Sequence, residues 1–436
     1  MKTIRLAENR LVEWKCKENR KPLVIRGAGR VGKTRLMKEF GERHYEKRAY
    51  VNFEDDPKMG RLFSLEPNIE RLVEGLSAFS DVSIDENTLI IFDEASAVPD
   101  ALTGLKCFLE NASRYHVVAA GAMLDVALRG DASFCADDVE FMDLHPLSFS
   151  EFLCAINHER YAEALESDNL DLIGSLKYEL VDLLKKYVIV GGMPEAVAEY
   201  ARNKDYAAVR EIHRSILTAY ENDFSKRAPH NLVPRIRELW HSIPRQLAKE
   251  NRKFVYGLTK KGARAREYEP ALRWLVNRGL VHKIVRVSSG NHPLGAYVDA
   301  NAFKLYMVDT GLLCAMSGIE AKALIDGDGL FTNRDGAGTE QFVLQQLIRA
   351  GISPFYWSSE RSSGEVDFVF QADSKVIPLE VKAAENLQAK SLRFFAEKYG
   401  VEEAARASLS DFRREPWLVN LPLFMIEGIM RYLRER

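Results

Sequence analysis

The string GAGRVGKT, Gly27 to Thr34, places three glycines, a lysine and a hydroxyl within eight residues. A triphosphate needs that combination. The glycines let the backbone wrap phosphate oxygens, Lys33 reaches the β and γ positions, and the Thr34 hydroxyl holds Mg²⁺. The candidate nucleotide contacts are Gly27, Gly29, Arg30, Val31, Gly32, Lys33, Thr34 and Arg35. A second pair of chemistry-bearing residues, Asp93-Glu94, ends the apolar run Thr88 to Phe92. There Asp93 would organise Mg²⁺ through its water shell, and Glu94 would polarise an attacking water as general base.

A further set lies in the last third of the chain. Glu340 begins a helical pattern, Asp367 sits in GEVDFVF, and Glu380 and Lys382 end the run VIPLEVK. Period-two alternation puts Glu380 and Lys382 on one face of a strand, and a turn between the two strands brings Asp367 near them. Asp367 and Glu380 chelating Mg²⁺, Glu340 adding a ligand and Lys382 holding the attacking water would suit phosphodiester cleavage. The competing reading is an ordinary hairpin carrying an ion pair.

These residues need elements to hold them. The glycine-rich string follows Leu23-Val24-Ile25 and precedes the helical pattern Leu36, Met37, Phe40. Further apolar runs at Tyr50–Phe53, Leu89–Phe92, Val117–Ala120 and Val139–Leu144 alternate with helical patterns, which predicts a parallel α/β sheet with its ligand at the strands' C-terminal ends. Gly121-Ala122 and the loop from Arg129 to Asp138 are further candidate contributors there. After Leu144 the pattern turns helical to about Arg227, with Ser148 or Ser150 as cap and Gly191 to Pro194 as a break. Helical patterns at Arg235–Ile243, Pro244–Asn251 and Ala263–Arg278, then Leu280–Val287, a turn and Tyr297-Val298, read as a winged helix. The expected domains are a P-loop ATPase core at 1–150, a helical lid at 151–228, a basic winged helix at 229–300 and a nuclease-like α/β domain at 301–436, the last of which the resemblance described below implies to be restriction-endonuclease-like.

Charge supports a polyanion partner. The chain of 436 residues has a net charge of −2, yet Ser225 to Gly290 holds 6 Lys and 10 Arg against 4 Glu and no Asp, a net +12. Double-stranded DNA is the expected partner, with Arg252, Lys253, Lys260, Lys261, Arg264 and Arg266 as contacts and Gly262 to Arg266 opening the reading helix. The alternatives are a solvated basic face or an inter-domain face that docks on the acidic helical region of the same chain. Five cysteines without Cys-x-x-Cys spacing argue against a zinc knuckle or disulfide framework. The chain has no run of about 18 apolar residues, and its start lacks a signal peptide's apolar region, so a cytoplasmic protein without a membrane partner is expected.

Taken together, GAGRVGKT, Asp93-Glu94, HPLSFSEFL, GGMPEAV, GARAREYEPALRWL, PLGAY with FKLYMVDTGLL, and GEVDFVF with LEVKAAENLQAKSL resemble prokaryotic AAA-type ATPases with a C-terminal restriction-endonuclease-like domain. The resemblance spans nearly the whole chain. It implies ATP and Mg²⁺ as cofactors, a regulatory branch of P-loop ATPases, and a Glu and Asp…Glu-x-Lys signature at Glu340, Asp367, Glu380 and Lys382. Many related ATPases complete their site with a neighbour's arginine, which leaves room for a homo-oligomer. Two departures point to slow hydrolysis. Gly121-Ala122 stands where the group tends to have Gly-Ser, and Cys135 to Asp138 brings two acids where it tends to carry a lysine. The expected function is an ATP-binding, DNA-binding ATPase with a Mg²⁺-dependent nuclease-like domain. The alternative is a slow nucleotide switch that does not cut.

Overall fold

The structure, a computed structural model, describes all residues except 1–5, 56–60, 64–67, 98–99, 112–113, 122–137, 168, 250, 321–336, 360–363, 373, 383–389 and 434–436. It divides into two compact units: Ile4–His145 with Asn277–Gly279, and Pro146–Val276 with Leu280–Arg436 and Met1–Thr3.

The first unit contains α1 (Ala7–Lys15), β1 (Leu23–Arg26), α2 (Lys33–His44), β2 (Lys47–Asn52), α3 (Ile69–Ser80), β3 (Thr88–Asp93), α4 (Asp100–Asn111), β4 (His116–Ala120) and β5 (Glu140–Asp143). Its strands form one parallel sheet in the order β2-β3-β4-β1-β5. All six residues of β3 are buried, as an unbroken apolar strand covered on both faces must be. Phe92 anchors the core, with the rings of Phe53, Phe63 and Phe108 set edge-on against it. The sheet brings the C-terminal ends of β1 and β3, and hence the glycine-rich loop and Asp93, to the same edge.

The second unit begins with helices α5 (Phe149–Ala155), α6 (Glu159–Glu166), α7 (Leu170–Ser175), α8 (Lys177–Val190), α9 (Pro194–Asn203) and α10 (Tyr206–Arg227). Ser148 caps α5 in a reciprocal box with Glu151. Gly191, at φ +71, ends α8, and Pro194 opens α9 at a position that needs no N–H. Then come α11 (Val233–Leu247), α12 (Tyr256–Thr259) and α13 (Ala265–Asn277). The helix expected to start at Pro244 does not exist separately. Pro244 lies inside α11, where Trp240, Ile243 and Leu247 keep one face buried across the missing N–H.

An eight-stranded mixed sheet follows: β6 (Val281–Val287), β7 (Val298–Met307), β8 (Phe355–Ser358), β9 (Glu365–Ala372), β10 (Lys375–Val381), β11 (Ala404–Ser408), β12 (Arg413–Arg414) and β13 (Leu418–Pro422), in the order β12-β13-β11-β10-β9-β8-β6-β7. Helices α14 (Thr310–Met316), α15 (Ala337–Arg349) and α16 (Lys390–Tyr399) belong to the same unit. The boundary expected between 300 and 301 falls inside β7. That strand is far longer than the Tyr297-Val298 stub expected for a wing, and β6 pairs in parallel with β8, so hairpin and terminal domain share one sheet. Lys304 hides this strand from a reading of apolar runs, because a charge interrupts six buried residues, Ala302 to Met307.

Candidate functional site

The backbone of the glycine-rich loop takes conformations that L side chains rarely adopt. Gly27 has φ +148, Arg30 φ +62 and Gly32 φ +95. A Cβ on Gly27 would lie 2.2 Å from the Leu144 carbonyl oxygen, so only glycine fits beside the end of β5. Gly32 stands at the N-cap of α2, whose first residue is Lys33. The open N–H groups of that helix end therefore emerge from the loop. The Lys33 ammonium, buried, donates to the carbonyls of Gly27 and Ala28 at 2.9 and 2.8 Å. Thr34 is half-buried, while Arg30 and Arg35 are exposed.

Asp93 ends β3 and is buried; its carboxylate accepts from the Tyr50 hydroxyl at 2.9 Å and from the Glu94 N–H at 3.1 Å. Burial and the Asp93 carboxylate raise the Tyr50 phenol, which keeps it a donor. Tyr50 lies on β2, two residues before Asn52, the register partner of Asp93. Nothing in the spacing of Tyr50 marks it as part of this site; parallel pairing places it there. Glu94 follows at φ +50, a left-handed turn that directs the chain away from the strand.

Residues 19–153 match the AAA domain family. Residues 181–323 match a domain of unknown function, DUF8612, and 335–421 another, DUF4143. No curated protein matches the chain. Among solved structures, a Walker-type ATPase of Pyrococcus abyssi is similar at 13% identity and TM-score 0.45, covering 72% of this chain and 96% of that one. Cdc6p from Pyrobaculum aerophilum is similar at 14% and TM-score 0.26, over 74% and 93% of the two chains. The Aeropyrum pernix Orc1 protein, solved in complex with DNA, is similar at 15% and TM-score 0.28, over 72% and 92%. Within the AAA domain, the glycine-rich cradle, the buried lysine and the strand-end aspartate form a donor set that suits a nucleotide phosphate and its Mg²⁺. Ala122 and Cys135 to Asp137 lie outside the described residues.

The second constellation is arranged differently from the expectation. Glu340, on α15, accepts from the Arg252 guanidinium and from the Tyr306 hydroxyl at 2.8 Å, and the Lys304 ammonium lies 3.7 Å from the same carboxylate oxygen as Tyr306. Lys304 is fully buried and reaches Glu365 at 2.5 Å. Burial opposes ionisation of Glu340, but Lys304 and Arg252 hold its carboxyl below the usual range. Burial and the neighbouring Glu340 push Asp367 well above its own. Asp367 also accepts from the Val381 N–H at 2.8 Å. Glu380 takes a separate course, with Lys382 at 2.9 Å and Arg406 at 3.9 Å.

Among the described residues no group of three or more His, Cys, Asp or Glu is placed to hold a metal ion. Glu340 is paired instead with Arg252 and Lys304, and Glu380 with Lys382. One expectation is corrected: Arg252 is not a surface contact. It is buried against Glu340, whereas Lys253, Lys260, Lys261, Arg264 and Arg266 are exposed. Lys260 pairs with Glu238 at 3.0 Å beside a cleft of about 330 Å³ that Arg235, Lys261 and Tyr268 also line. Other cations of the +12 segment make local ion pairs: Lys283 with Glu269 and Arg286 with Asp299.

Several shared motifs meet in a buried polar junction that gives no sign of itself in the sequence. Asp309 accepts from the N–H groups of Gly192 at 2.6 Å and Leu312 at 3.0 Å. Gln345 and Gln346, on α15, reach the Tyr187 hydroxyl and the N–H groups of Thr310 and Phe149, and Tyr187 donates to Leu147. A Cβ on Gly191 would lie 2.1 Å from Asp309, which explains the glycine. GGMPEAV, HPLSFSEFL and VDTGLL are accordingly packing motifs that satisfy one another's backbone. Among the described residues no helix is long and apolar enough to cross a membrane.

Proposed function

We propose that the chain is an ATP- and Mg²⁺-binding switch of the AAA type that holds duplex DNA through its basic segment and does not cut at the Glu340–Asp367 cluster. The observation that carries the nucleotide part is the Lys33 ammonium, buried inside a glycine cradle on two carbonyls it can exchange for phosphate oxygens. Gly27 to Arg35 would bind the triphosphate, Thr34 and Asp93 would hold Mg²⁺, and Glu94 would serve as base. The bound ATP–Mg²⁺ supplies a phosphoanhydride whose cleavage changes the charge in the cradle. The protein's own groups orient it: Tyr50 fixes the Asp93 carboxylate, and the helix end of α2 favours negative charge. Two acids expected in the Cys135 to Asp138 loop would oppose a transition state rich in negative charge and slow turnover.

Support for DNA comes from the winged-helix pattern of α11, α12, α13 and the β6–β7 hairpin, together with the exposed cations Lys253, Lys261, Arg264 and Arg266. Arg264 and Arg266 flank the first residue of α13, the helix that would enter the major groove. Fluorescence anisotropy of a labelled duplex tests this reading, with ATP or ADP present and with the triple variant Lys261→Ala, Arg264→Ala, Arg266→Ala. The expectation is binding that differs between nucleotides and is weakened in the variant. Absence of binding at about 50 mM salt, or identical affinity in ATP and ADP, sinks it. Mg²⁺-dependent nicking by the wild type that disappears in Glu380→Ala would replace it with a nuclease.

A further inference from the structure

The terminal cluster sets two buried cations among its acids. Arg252 and Lys304 bring two positive charges to Glu340 and Glu365, with Asp367 close enough to act on both, and these five groups come from four elements: β7, β9, α15 and the loop before α12. Lys304 has no exposed side-chain surface, and the Arg252 and Glu340 side chains keep 10% and 4% of theirs. Its ammonium stands 2.5 Å from one carboxylate and 3.7 Å from another, which is where a bridging cation would draw its oxygens. A divalent ion entering here would meet two fixed unit charges inside a poorly screened interior.

We propose that Lys304 and Arg252 are built-in counter-ions that take the part of a divalent metal, and that removing either charge turns Glu340, Glu365 and Asp367 into a divalent-cation site. The proposal rests on the reading of this domain as nuclease-like and non-cutting, and it needs neither nucleotide nor DNA. In the wild type the lysine and arginine staple β7 and the basic loop to α15. They also exclude the ion that hydrolysis of a phosphodiester would require. Glu340 and Glu365 would then persist for packing, as the partners of two buried cations.

The probe is Mn²⁺ alone, titrated into the nucleotide-free full chain and followed by loss of the free-ion electron paramagnetic resonance signal. Each protein is compared with and without Asp367→Asn, which separates this cluster from the AAA domain. The wild type is expected to show no Asp367-dependent binding at about 1 mM Mn²⁺, and Lys304→Met to bind about tenfold or more tightly than the wild type in an Asp367-dependent manner. Arg252→Gln is expected to shift affinity in the same direction by less, and with the wild-type arm it decides the matter where Lys304→Met does not fold. Asp367-dependent Mn²⁺ binding by the wild type would overturn the proposal, as would folded Lys304→Met and Arg252→Gln proteins that bind no more than the wild type. A failure of nucleotide-dependent DNA binding would leave these outcomes unchanged.

Discussion

The chain carries two sites built from acids and lysines, and they differ in what holds the charges. In the AAA domain, Asp93 takes its hydrogen bonds from neutral donors, the Tyr50 hydroxyl and a backbone N–H, and Lys33 donates to two carbonyls. In the second unit, Glu340 is paired with Arg252 and approached by Lys304. Neutral partners orient the Asp93 charge without cancelling it. Ionic partners cancel a charge, and the second site spends its field on the fold. Residue type alone therefore says little about whether a Lys-and-acid set is chemical; the charge of the nearest partners decides.

The contrast is sharpest when a single charge is deleted on each side. Glu340→Ala leaves Arg252 and Lys304 buried without their shared carboxylate and should cost about 3–5 kcal/mol. Denaturant unfolding of the second unit, followed by tryptophan fluorescence, checks it; a loss below about 1 kcal/mol would show the cluster to be slack. Lys33→Ala should leave stability almost unchanged but weaken ATP binding by about 30- to 1000-fold, the usual loss for a charge-assisted phosphate contact. Titration with a fluorescent ATP analogue measures that.

A third experiment asks whether a buried acid without a cation behaves differently again. Burial lifts the Asp309 carboxyl to about 6, against the pull of its N–H donors. Its folded value exceeds the unfolded one, so its proton is released earlier by the unfolded chain, and stability falls as pH rises from about 4 to about 6. The stability margin of the wild type over Asp309→Asn should shrink by about 2–3 kcal/mol across that window and stay level above it. Thermal midpoints of both proteins at pH 4.5 and 7.5 test the sign. The smallest effect belongs to the surface: each cation removed from Lys261, Arg264 and Arg266 should reduce the salt slope of DNA binding by about 0.9, whereas Arg252→Gln should leave the slope unchanged.

The five strands of the first sheet are legible because their apolar runs, continuous at Leu23–Ile25, Leu89–Phe92 and Val117–Ala120, alternate with helical patterns, and the glycine-rich loop is legible because its constraints are local. Gly27 and Gly32 are required by backbone geometry at those positions. The Ser148–Glu151 capping box is equally local. By contrast, the course of β7 escapes a sequence reading because Lys304 interrupts its apolar run, and Pro244 suggests a helix break that packing overrides. Arg252 looks like its exposed neighbour Lys253. Only the fold, by bringing Glu340 to within ion-pair distance from 88 positions along the chain, turns one inward and leaves the other out.

What the sequence determined by itself, then, is whatever depends on neighbours in the chain: the nucleotide cradle of the AAA domain, its strands, the caps, and the presence of a basic block. What tertiary structure decided is the fate of each charge. A charge's role depends on its partners within a few ångströms and on its access to water, and both are set by long-range packing. That is why Lys33 and Asp93 could be read as a site from their spacing, while Glu340 and Asp367, with an equally suggestive spacing, are committed to Arg252, Lys304 and each other.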